Sequence, residues 1–183
     1  DTGDMLLNAL APLTQSGKLT RLMLNFESGG SISALPDGVT ELIVSELNMN
    51  SYEWLRNDAG ITSLTICTYN ADWTIALPQA IQTLIVESGD LSLPMLLGTV
   101  EVPLLPNLVS LTIGTEGSEA PLKFGYTDLD FAAAPKLTEL NLWIEQGYDT
   151  QSLYQKALAL PSLKTLNGRA KSAYGPYLGL GVD

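Results

Sequence analysis

The sequence predicts an α/β solenoid in which short parallel strands stack into one sheet after an N-terminal helix. The main observation is a six-residue frame with aliphatic side chains at its first, fourth and sixth positions, as in Leu137, Leu140 and Leu142. The frame begins at residues 19, 39, 61, 81, 108, 137 and 163, so successive copies lie 20, 22, 20, 27, 29 and 26 residues apart. The last copy is degraded, because Gly168 occupies its sixth position. One such repeat cannot bury its apolar face alone, so the copies must stack on one another.

The length of 183 residues suits one domain and leaves no room for a separate catalytic domain beside the repeats. We expect a single domain over residues 1–183, with a helical cap in 1–18, about seven repeats in 19–168 and a capping tail in 169–183. Hydrophobic residues make up 45% of the chain and charged residues 16%, which is not the composition of a disordered chain or a coiled coil. No apolar run reaches the roughly 18 residues of a membrane-spanning helix, so we expect no such helix.

A short amphipathic helix is predicted before the first repeat. Its apolar residues recur at helical spacing, and they are Met5, Leu6, Ala9, Leu10 and Leu13. Asp4 is the candidate N-cap. Because the open end of a solenoid leaves the aliphatic side chains of its first layer in water, we expect this helix to act as the N-terminal cap.

Each frame predicts a strand at its fourth to sixth positions. Side chains alternate along a strand, so the aliphatic fourth and sixth residues point inward and their neighbours point outward. Prolines stand just before five of the strands, at positions 36, 78, 106, 135 and 161. Proline lacks an N–H donor and biases the preceding residue away from helix, so each one ends a return segment and leads into the next strand.

The return segments differ in length and therefore in predicted structure. Residues 51–58 suit two helical turns with Trp54 and Leu55 inward, residues 128–133 a short helix, and residues 151–160 a fuller helix with apolar Leu153, Ala157, Leu158 and Leu160. Residues 89–106 favour a loop or an added strand because of their prolines. After residue 166 the frame is lost, and we expect the tail to fold over the last layer.

The repeats resemble those of leucine-rich repeat proteins, whose unit of 20 to 29 residues contains Leu-x-x-Leu-x-Leu. The resemblance covers residues 19–166. Residues 35–44 (Leu-Pro-Asp-Gly-Val-Thr-Glu-Leu-Ile-Val) and 77–86 (Leu-Pro-Gln-Ala-Ile-Gln-Thr-Leu-Ile-Val) are similar to the bacterial subtype in which Leu-Pro precedes the strand. The resemblance implies a curved solenoid with a parallel sheet on its concave side. It also implies a secreted or surface protein of bacterial origin, because that subtype occurs in such proteins.

One feature of the family is missing. Its usual asparagine stands three positions after the sixth-position aliphatic and satisfies backbone groups at the bend. Those sites here hold Glu27, Leu47, Tyr69, Gly89, Glu116 and Glu145. We therefore expect an irregular, flatter arc rather than a regular horseshoe.

The charged residues argue against several classes of function. Nine basic residues against twenty acidic ones give a net charge of −11, which repels a phosphate backbone. We therefore expect neither nucleic acid nor an anionic membrane as a partner. The sequence contains no histidine, and so lacks the commonest general base and the commonest neutral metal ligand. We expect no cofactor and no enzymatic activity.

On the expected register, three columns of outward-facing side chains cover the concave face, and we expect that face to bind a protein or a glycan. The candidate partner-binding residues are Ile43, Ile85, Glu87, Glu139, Asn141, Trp143 and Glu145. Trp143 is the large aromatic residue of these columns, and tryptophan is enriched in interface hot spots. The competing interpretation is that the tail covers Trp143 through Tyr174 and Tyr177.

The alternative function is that of a carbohydrate-active parallel β-helix, whose catalytic groups can be carboxylates alone. Its coils also span about twenty residues, but each coil carries three strand patterns. The repeats here show one strong strand pattern with Pro-rich or helical returns. The spacing therefore favours the binding module.

Two smaller groups of residues are candidates for chemistry. Asp128, Asp130 and Asp149 are candidate calcium ligands, but they lack the Asp-x-Asp-x-Asp-Gly spacing, and helix capping by Asp128 is favoured. Cys67 is the single cysteine, so no internal disulfide can form. No basic residue stands beside it to lower its pKa, so we expect an inert thiol.

The chain starts at Asp1 rather than Met, which is typical of a processed N-terminus. Together with an acidic surface rich in Ser and Thr, this start favours an extracellular or cell-surface protein, with or without a lipid anchor. We expect a monomer.

Overall fold

The computed structural model describes residues 2–25, 32–47, 53–69, 77–87, 97–115, 130–145, 150–172 and 175–182. One eight-stranded sheet runs through these ranges with its strands in sequence order. The first seven strands pair in parallel and the eighth pairs antiparallel with the seventh. The molecule is therefore a solenoid with a seven-stranded parallel sheet, as the repeated frame predicts.

The strands are β1 (Arg21–Leu24), β2 (Glu41–Leu47), β3 (Ser63–Tyr69), β4 (Thr83–Val86), β5 (Ser110–Ile113), β6 (Glu139–Glu145), β7 (Thr165–Ser172) and β8 (Gly175–Val182). The α-helices in the described ranges are α1 (Thr2–Gln15) and α2 (Thr150–Leu158). Short 3₁₀ helices span Glu53–Asn57 and Phe131–Ala133.

The fourth positions of all seven frames form one row across the sheet. The paired residues are Leu22, Leu42, Leu64, Leu84, Leu111, Leu140 and Leu166. From Leu42 to Leu140 each member of this row is fully buried. Burial of one such side chain is worth about 1.5–3 kcal/mol. Together with the buried first- and sixth-position residues of the frames, this row supplies most of the core.

Turns before the strands set the first position of each frame into the core. In the second and fourth copies the N–H of Val39 donates to the carbonyl of Pro36 (3.4 Å), and that of Ile81 to the carbonyl of Pro78 (3.3 Å). Val39 and Ile81 are buried as a result. At these two sites the proline lies just before the strand, as predicted, and the structure adds that it belongs to a hydrogen-bonded turn.

The two 3₁₀ helices lie where helical returns were predicted. In the first, Leu55 is fully buried and Trp54 packs partly buried against the core, as expected. In the second, Phe131 fills the core, and the Asp130 carboxylate accepts the Ala132 N–H (3.0 Å) as the N-cap. Asp130 thus holds the capping role that was expected of Asp128, which lies outside the described residues.

Helix α1 differs from the expectation at its start. It begins at Thr2, so Asp4 lies within its first turn and is not the N-cap. The Asp4 carboxylate instead accepts hydrogen bonds from the N–H and the hydroxyl of Ser33 (2.9 and 3.1 Å). The backbone bond is the main reason that the pKa of Asp4 lies below its ordinary value. These bonds tie the helix to the segment that leads into β2.

The buried face of α1 also differs from the expectation. Leu7 and Thr14 are buried, with exposed fractions of 5% and 1%. Met5 and Leu6 of the predicted apolar face are instead 74% and 64% exposed. The inner contact is close at the helix end, since a Cβ on Gly38 (φ 96°) would collide with the carbonyl oxygen of Thr14.

Near the C-terminal end, α2 fills the space in the core that the missing side chain of Gly168 would leave. Gly168 lacks the aliphatic side chain of the frame, and the Tyr154 ring lies in its place, close enough that a Cβ on Gly168 would collide with the Tyr154 hydroxyl. Ala157 of this helix is buried as expected, but Leu158 is 59% exposed, contrary to its predicted apolar contact. The side chain of Leu153 lies outside the described part.

Two segments remain, the one before β5 and the C-terminal tail, and they form different structures. Within residues 97–115 a tight antiparallel bridge joins Gly98 to Pro103, which fits the predicted loop or added strand. In the predicted tail (169–183), residues as far as Ser172 continue β7, and Gly175–Val182 form β8, which pairs antiparallel with β7 at the edge of the sheet. Tyr174 of the expected tail contact is outside the described residues.

Candidate functional site

The solvent-facing side of the sheet holds the residues predicted to bind a partner. We call this side the open face and define it by three columns of side chains at the first, third and fifth positions of the strands. Ile43, Ile85 and Asn141 share the second column, separated by Thr65 and Thr112. The predicted columns are therefore correct in register.

A chain of side-chain hydrogen bonds crosses the open face from β5 to β7. The Asn167 amide donates to the Asn141 side-chain carbonyl (2.8 Å), and the Asn141 amide donates to the Thr112 hydroxyl (3.1 Å) and the Glu139 carboxylate (3.0 Å). All the principal bonding groups of the Asn141 amide are thus engaged within the protein. The sequence placed Thr112, Asn141 and Asn167 in one column and Glu139 in the adjacent one. The bonds between these residues were not predicted.

Trp143 lies at the third column of β6 and is half-buried. In the same column, just after β5, Gly114 has φ 82°, and a Cβ there would collide with the Trp143 carbonyl oxygen. Only glycine therefore allows β5 and β6 to approach so closely at this point. In the register, Trp143 lies opposite Arg169 of β7. The expected contact with Tyr174 falls outside the described residues, as does the side chain of Glu145.

Charge on the open face is paired or dispersed. Arg21 and Glu41 form an ion pair across β1 and β2 (3.1 Å), with exposed side-chain fractions of 62% and 38%. A pair so exposed contributes little to stability. Near it lies Met23, which is 66% exposed, and Ile43 is half-buried on the next strand. This end of the open face therefore combines an apolar patch with a paired charge.

The described carboxylates of the open face, which are Glu41, Glu87 and Glu139, are too far apart to act as a pair. Glu41 and Glu87 lie two strands and two columns apart, so their Cα atoms are roughly 16 Å apart, rather than the roughly 10 Å that strand spacing alone suggests. Glu87 and Glu139 have the same relation. Catalytic carboxyl pairs of glycosidases are separated by about 5–9.5 Å.

Cys67 lies in the third column, between Ser45 on β2 and Glu87 on β4. The Ser45 hydroxyl donates to the Asn25 side chain (2.7 Å), which closes one flank. Burial raises the pKa of the Cys67 thiol, and the hydrogen bond and the negative charge of Glu87 raise it further. A raised pKa disfavours the thiolate, so the environment gives this cysteine no nucleophilic activation.

The candidate calcium ligands do not form a cluster in the described structure. Asp128 and Asp149 lie outside it, and the Asp130 carboxylate accepts a backbone N–H as a helix cap. Among the described residues, no three His, Cys, Asp or Glu side chains converge on one point. The same residues include no helix long and apolar enough to cross a membrane.

A shallow cleft of about 440 Å³ opens at the edge where the chain enters the strands. It lies between the Leu35-Pro36 turn and the 3₁₀ helix that carries Trp54. Its carboxylate Asp58 accepts the N–H groups of Gly60 and Ile61 (2.8 and 3.3 Å), which closes a local turn. The cleft was not predicted, because residues of two separate turns line it.

Comparison of the chain with protein-family models, with curated proteins and with solved structures finds no match. The functional argument therefore rests on the open face and its surroundings.

Proposed function

We propose that this protein is a non-catalytic binding module of the leucine-rich repeat kind, whose open face binds a protein partner. The observation that carries the proposal is the unbroken register of seven strands, which aligns three columns of side chains into one surface. Six strand intervals of about 4.8 Å make this surface roughly 29 Å wide. A surface of that width suits a protein segment better than a small molecule.

The leucine-rich repeat assignment is part of the proposal. It is supported by one parallel strand for each frame and by repeat intervals of 20 to 29 residues. In this proposal the inner face of α1, through Leu7 and Thr14, covers the first turn as an N-terminal cap. The variable return segments give the sheet an irregular curvature with the open face on its concave side.

The chemistry of the open face favours a protein over a glycan. Sugar recognition needs amide and carboxylate groups that are free to bond hydroxyls, whereas the Asn141 amide is already bonded to Thr112, Glu139 and Asn167. Ile43 and Ile85 are half-exposed aliphatic residues in the same column. Apolar side chains held on a rigid, internally bonded surface are typical of the core of a protein interface.

The carboxylate geometry supports a binding role over the carbohydrate-active alternative. The described carboxylates of the open face are separated well beyond the range of a catalytic pair. Panels of glycans, peptides and esters incubated with the purified protein should therefore remain unchanged. Turnover that disappears in the Glu139→Gln variant would overturn the non-catalytic assignment.

The test of binding compares two variants with matched substitutions. Ile85→Glu places a charge at the centre of the open face, and Val102→Glu places one at a site 65% exposed in the turn between β4 and β5. A partner of the open face should be retained by the immobilised wild type and by Val102→Glu, and lost from Ile85→Glu, with quantitative mass spectrometry as the measurement. If no protein shows this pattern and a glycan array is bound instead, the protein-binding proposal is wrong.

A Trp143→Ala variant separates binding from packing at the β6 end of the open face. If Trp143 anchors the partner, affinity should fall by a factor corresponding to about 2 kcal/mol while the melting temperature changes little. Unchanged affinity with a melting temperature lowered by several degrees would assign Trp143 to the fold and move the site toward Met23, Ile43 and Ile85.

We place the protein outside the cell or on a bacterial surface. The support is the resemblance of its Leu-Pro repeats to those of secreted and surface bacterial proteins, together with its acidic composition. Labelling of intact cells with a membrane-impermeant reagent, together with detection of the protein in the culture medium, tests this location. A protein that is neither labelled nor found in the medium would contradict it.

A further inference from the structure

The cleft at the edge of the sheet is a second concave site, separate from the open face. We call it the turn cleft, and it lies between residues 33–39, which lead into β2, and residues 54–60, which lead into β3. Its volume of about 440 Å³ is within the range of sites that bind small molecules. Because none of its lining residues belongs to the open face, a ligand here does not depend on the proposed binding function.

The charged residues that line the turn cleft are Asp37, which is exposed, and Asp58, which is half-buried. Neither carboxylate forms an ion pair with a described residue. Arg56, the cation nearest in sequence, lines a different cleft of about 410 Å³ on the far side of residues 57–59. The described walls of the turn cleft are therefore negatively charged without a compensating cation.

Several hydrogen-bond donors of the turn cleft are already used inside the protein. Ser33 donates both its N–H and its hydroxyl to Asp4. Gly60 donates its N–H to Asp58, and the N–H of Val39 is bonded within its own turn. A ligand that consists mainly of acceptors, such as an anion, would find few free donors on these walls.

Acceptor oxygens, in contrast, come together from both turns. A Cβ on Gly60 would lie 3.3 Å from Oδ1 of Asp58 and 3.4 Å from the carbonyl oxygen of Val39. The carboxylate of one turn therefore lies close to the backbone of the other. An ammonium group carries donors and no acceptor, so it complements walls that are rich in acceptors and poor in free donors.

The rest of the lining is largely apolar and includes an indole. Trp54 lines the turn cleft together with Leu35 and Pro36, and all three are half-buried. Aromatic rings attract cations, and aliphatic walls favour the methylene chain of an amine. An inorganic cation would gain nothing from such walls.

We propose that the turn cleft binds an alkylammonium group, the chemical group that a lysine side chain shares with free polyamines. The ammonium bonds to the carboxylates of Asp37 and Asp58, and the alkyl chain lies along Trp54 and Leu35. The N–H that Asp58 accepts from Gly60 holds its carboxylate in place before the ligand arrives. The net charge of −11 on the whole chain raises the local concentration of such cations.

The first test titrates isotope-labelled protein with butylammonium chloride and follows the indole N–H resonance of Trp54 by NMR. The Trp54→Phe variant assigns this resonance, because the signal is lost from its spectrum. Butylammonium should shift the resonance with a dissociation constant on the order of 1 mM, as suits a ligand of so few atoms. Butanol at equal concentration, and sodium chloride at equal ionic strength, should leave the resonance in place.

A pair of matched variants locates the cation. Asp37→Asn should weaken butylammonium binding about two- to five-fold, because one of the two carboxylates is neutralised. The Asp37 side chain bonds to no described residue, so the circular dichroism spectrum should not change. Glu101→Gln is the control, since it changes the net charge equally at an exposed site in the turn before β5, and it should bind as the wild type does.

Three outcomes overturn the proposal. They are the absence of a saturable shift with butylammonium, a shift of equal size with butanol, and an equal loss of affinity in Asp37→Asn and Glu101→Gln. The last of these would show that the charge of the whole protein, rather than the turn cleft, attracts the cation.

A second titration distinguishes the two sources of the alkylammonium group. Spermidine represents a free polyamine, and the blocked peptide Gly-Gly-Lys-Gly-Gly represents a lysine of another protein. Tighter binding of spermidine assigns the turn cleft to polyamines, and tighter binding of the peptide assigns it to a protein lysine. If the peptide with glutamine in place of lysine binds equally well, recognition of the ammonium group is refuted.

Discussion

Replacement of Gly168 by alanine should destabilise the protein, although alanine is closer to the aliphatic residue of the repeat. A Cβ at Gly168 would collide with the Tyr154 hydroxyl and lie 2.9 Å from its Cε1 and Cζ atoms. The Tyr154 ring belongs to the core, with 7% of the residue exposed, and cannot move aside freely. The frame of the sequence alone predicts the opposite result, a gain in stability from the restored side chain.

The expected magnitude follows from two opposing effects. Loss of glycine stiffens the unfolded chain, which stabilises a protein by about 0.4–1 kcal/mol where the new side chain fits. Overpacking of a filled core costs about 1–3 kcal/mol. The net loss for Gly168→Ala should be about 1–2 kcal/mol, which lowers the melting temperature by about 2–8 °C for a chain of this size.

Denaturant unfolding followed by circular dichroism measures this loss, with Gly60→Ala as the control. A Cβ at Gly60 lies at 3.3–3.4 Å from its nearest neighbours, so that variant should stay within about 0.5 kcal/mol of the wild type. In Tyr154→Phe/Gly168→Ala the loss should shrink by at least about 0.5 kcal/mol, because the colliding hydroxyl is gone. A Gly168→Ala variant as stable as the wild type, or strictly additive losses, would refute the packing argument.

The Tyr154 hydroxyl also predicts a dependence of stability on pH. This hydroxyl has no hydrogen-bond partner among the described residues, and burial raises the pKa of Tyr154. The unfolded chain releases the phenolic proton near pH 10 while the folded chain retains it. Stability from this group is therefore full below about pH 10 and is lost as pH rises toward the folded pKa. Tyr154→Phe should lose less stability than the wild type between pH 9 and pH 11 by denaturant titration, and an identical loss would contradict the assignment.

Three further variants test the packing elsewhere, with free energies of unfolding as the measurement. Gly38→Ala should lower the free energy of unfolding more than Gly17→Ala does. Both residues have positive φ (96° and 71°), but only a Cβ at Gly38 meets the Thr14 carbonyl. Backbone strain alone should cost about 1–2 kcal/mol at Gly17, and equal losses in the two variants would contradict the close helix contact. Asn141→Ala, which removes three hydrogen bonds of the open face, should cost about 1–3 kcal/mol, and a neutral result would show that these bonds are replaced by water. Leu111→Asp should prevent folding, because Leu111 is fully buried and an unpaired carboxylate there has no partner; a cooperative melt in that variant would show that the register is wrong.

The sequence alone was sufficient to predict the parallel sheet and the register of its strands. With an aliphatic residue at the first, fourth and sixth positions of each frame, the repeats bury these three side chains by stacking one strand from each repeat into a sheet. Side chains alternate strictly along a strand, and this alternation then determines which residues face out. Leu42 and Leu140 could be placed in the core, and Ile43 and Asn141 in one outer column, without any structure. The identity of the partner could not be read in the same way, because many chemistries fit an outward column.

Contacts between segments far apart in the chain could be decided only by the tertiary structure. Helical periodicity identified Met5, Leu6 and Leu13 as one face of α1, but Leu7 and Thr14 form the face that packs on the chain, since periodicity does not say which of two apolar sides meets a neighbour. Gly168 read as a defect until Tyr154, fourteen residues earlier, was found to fill its place. A local pattern determines which residues prefer to be buried, and the volume and charge of distant neighbours determine which of them are.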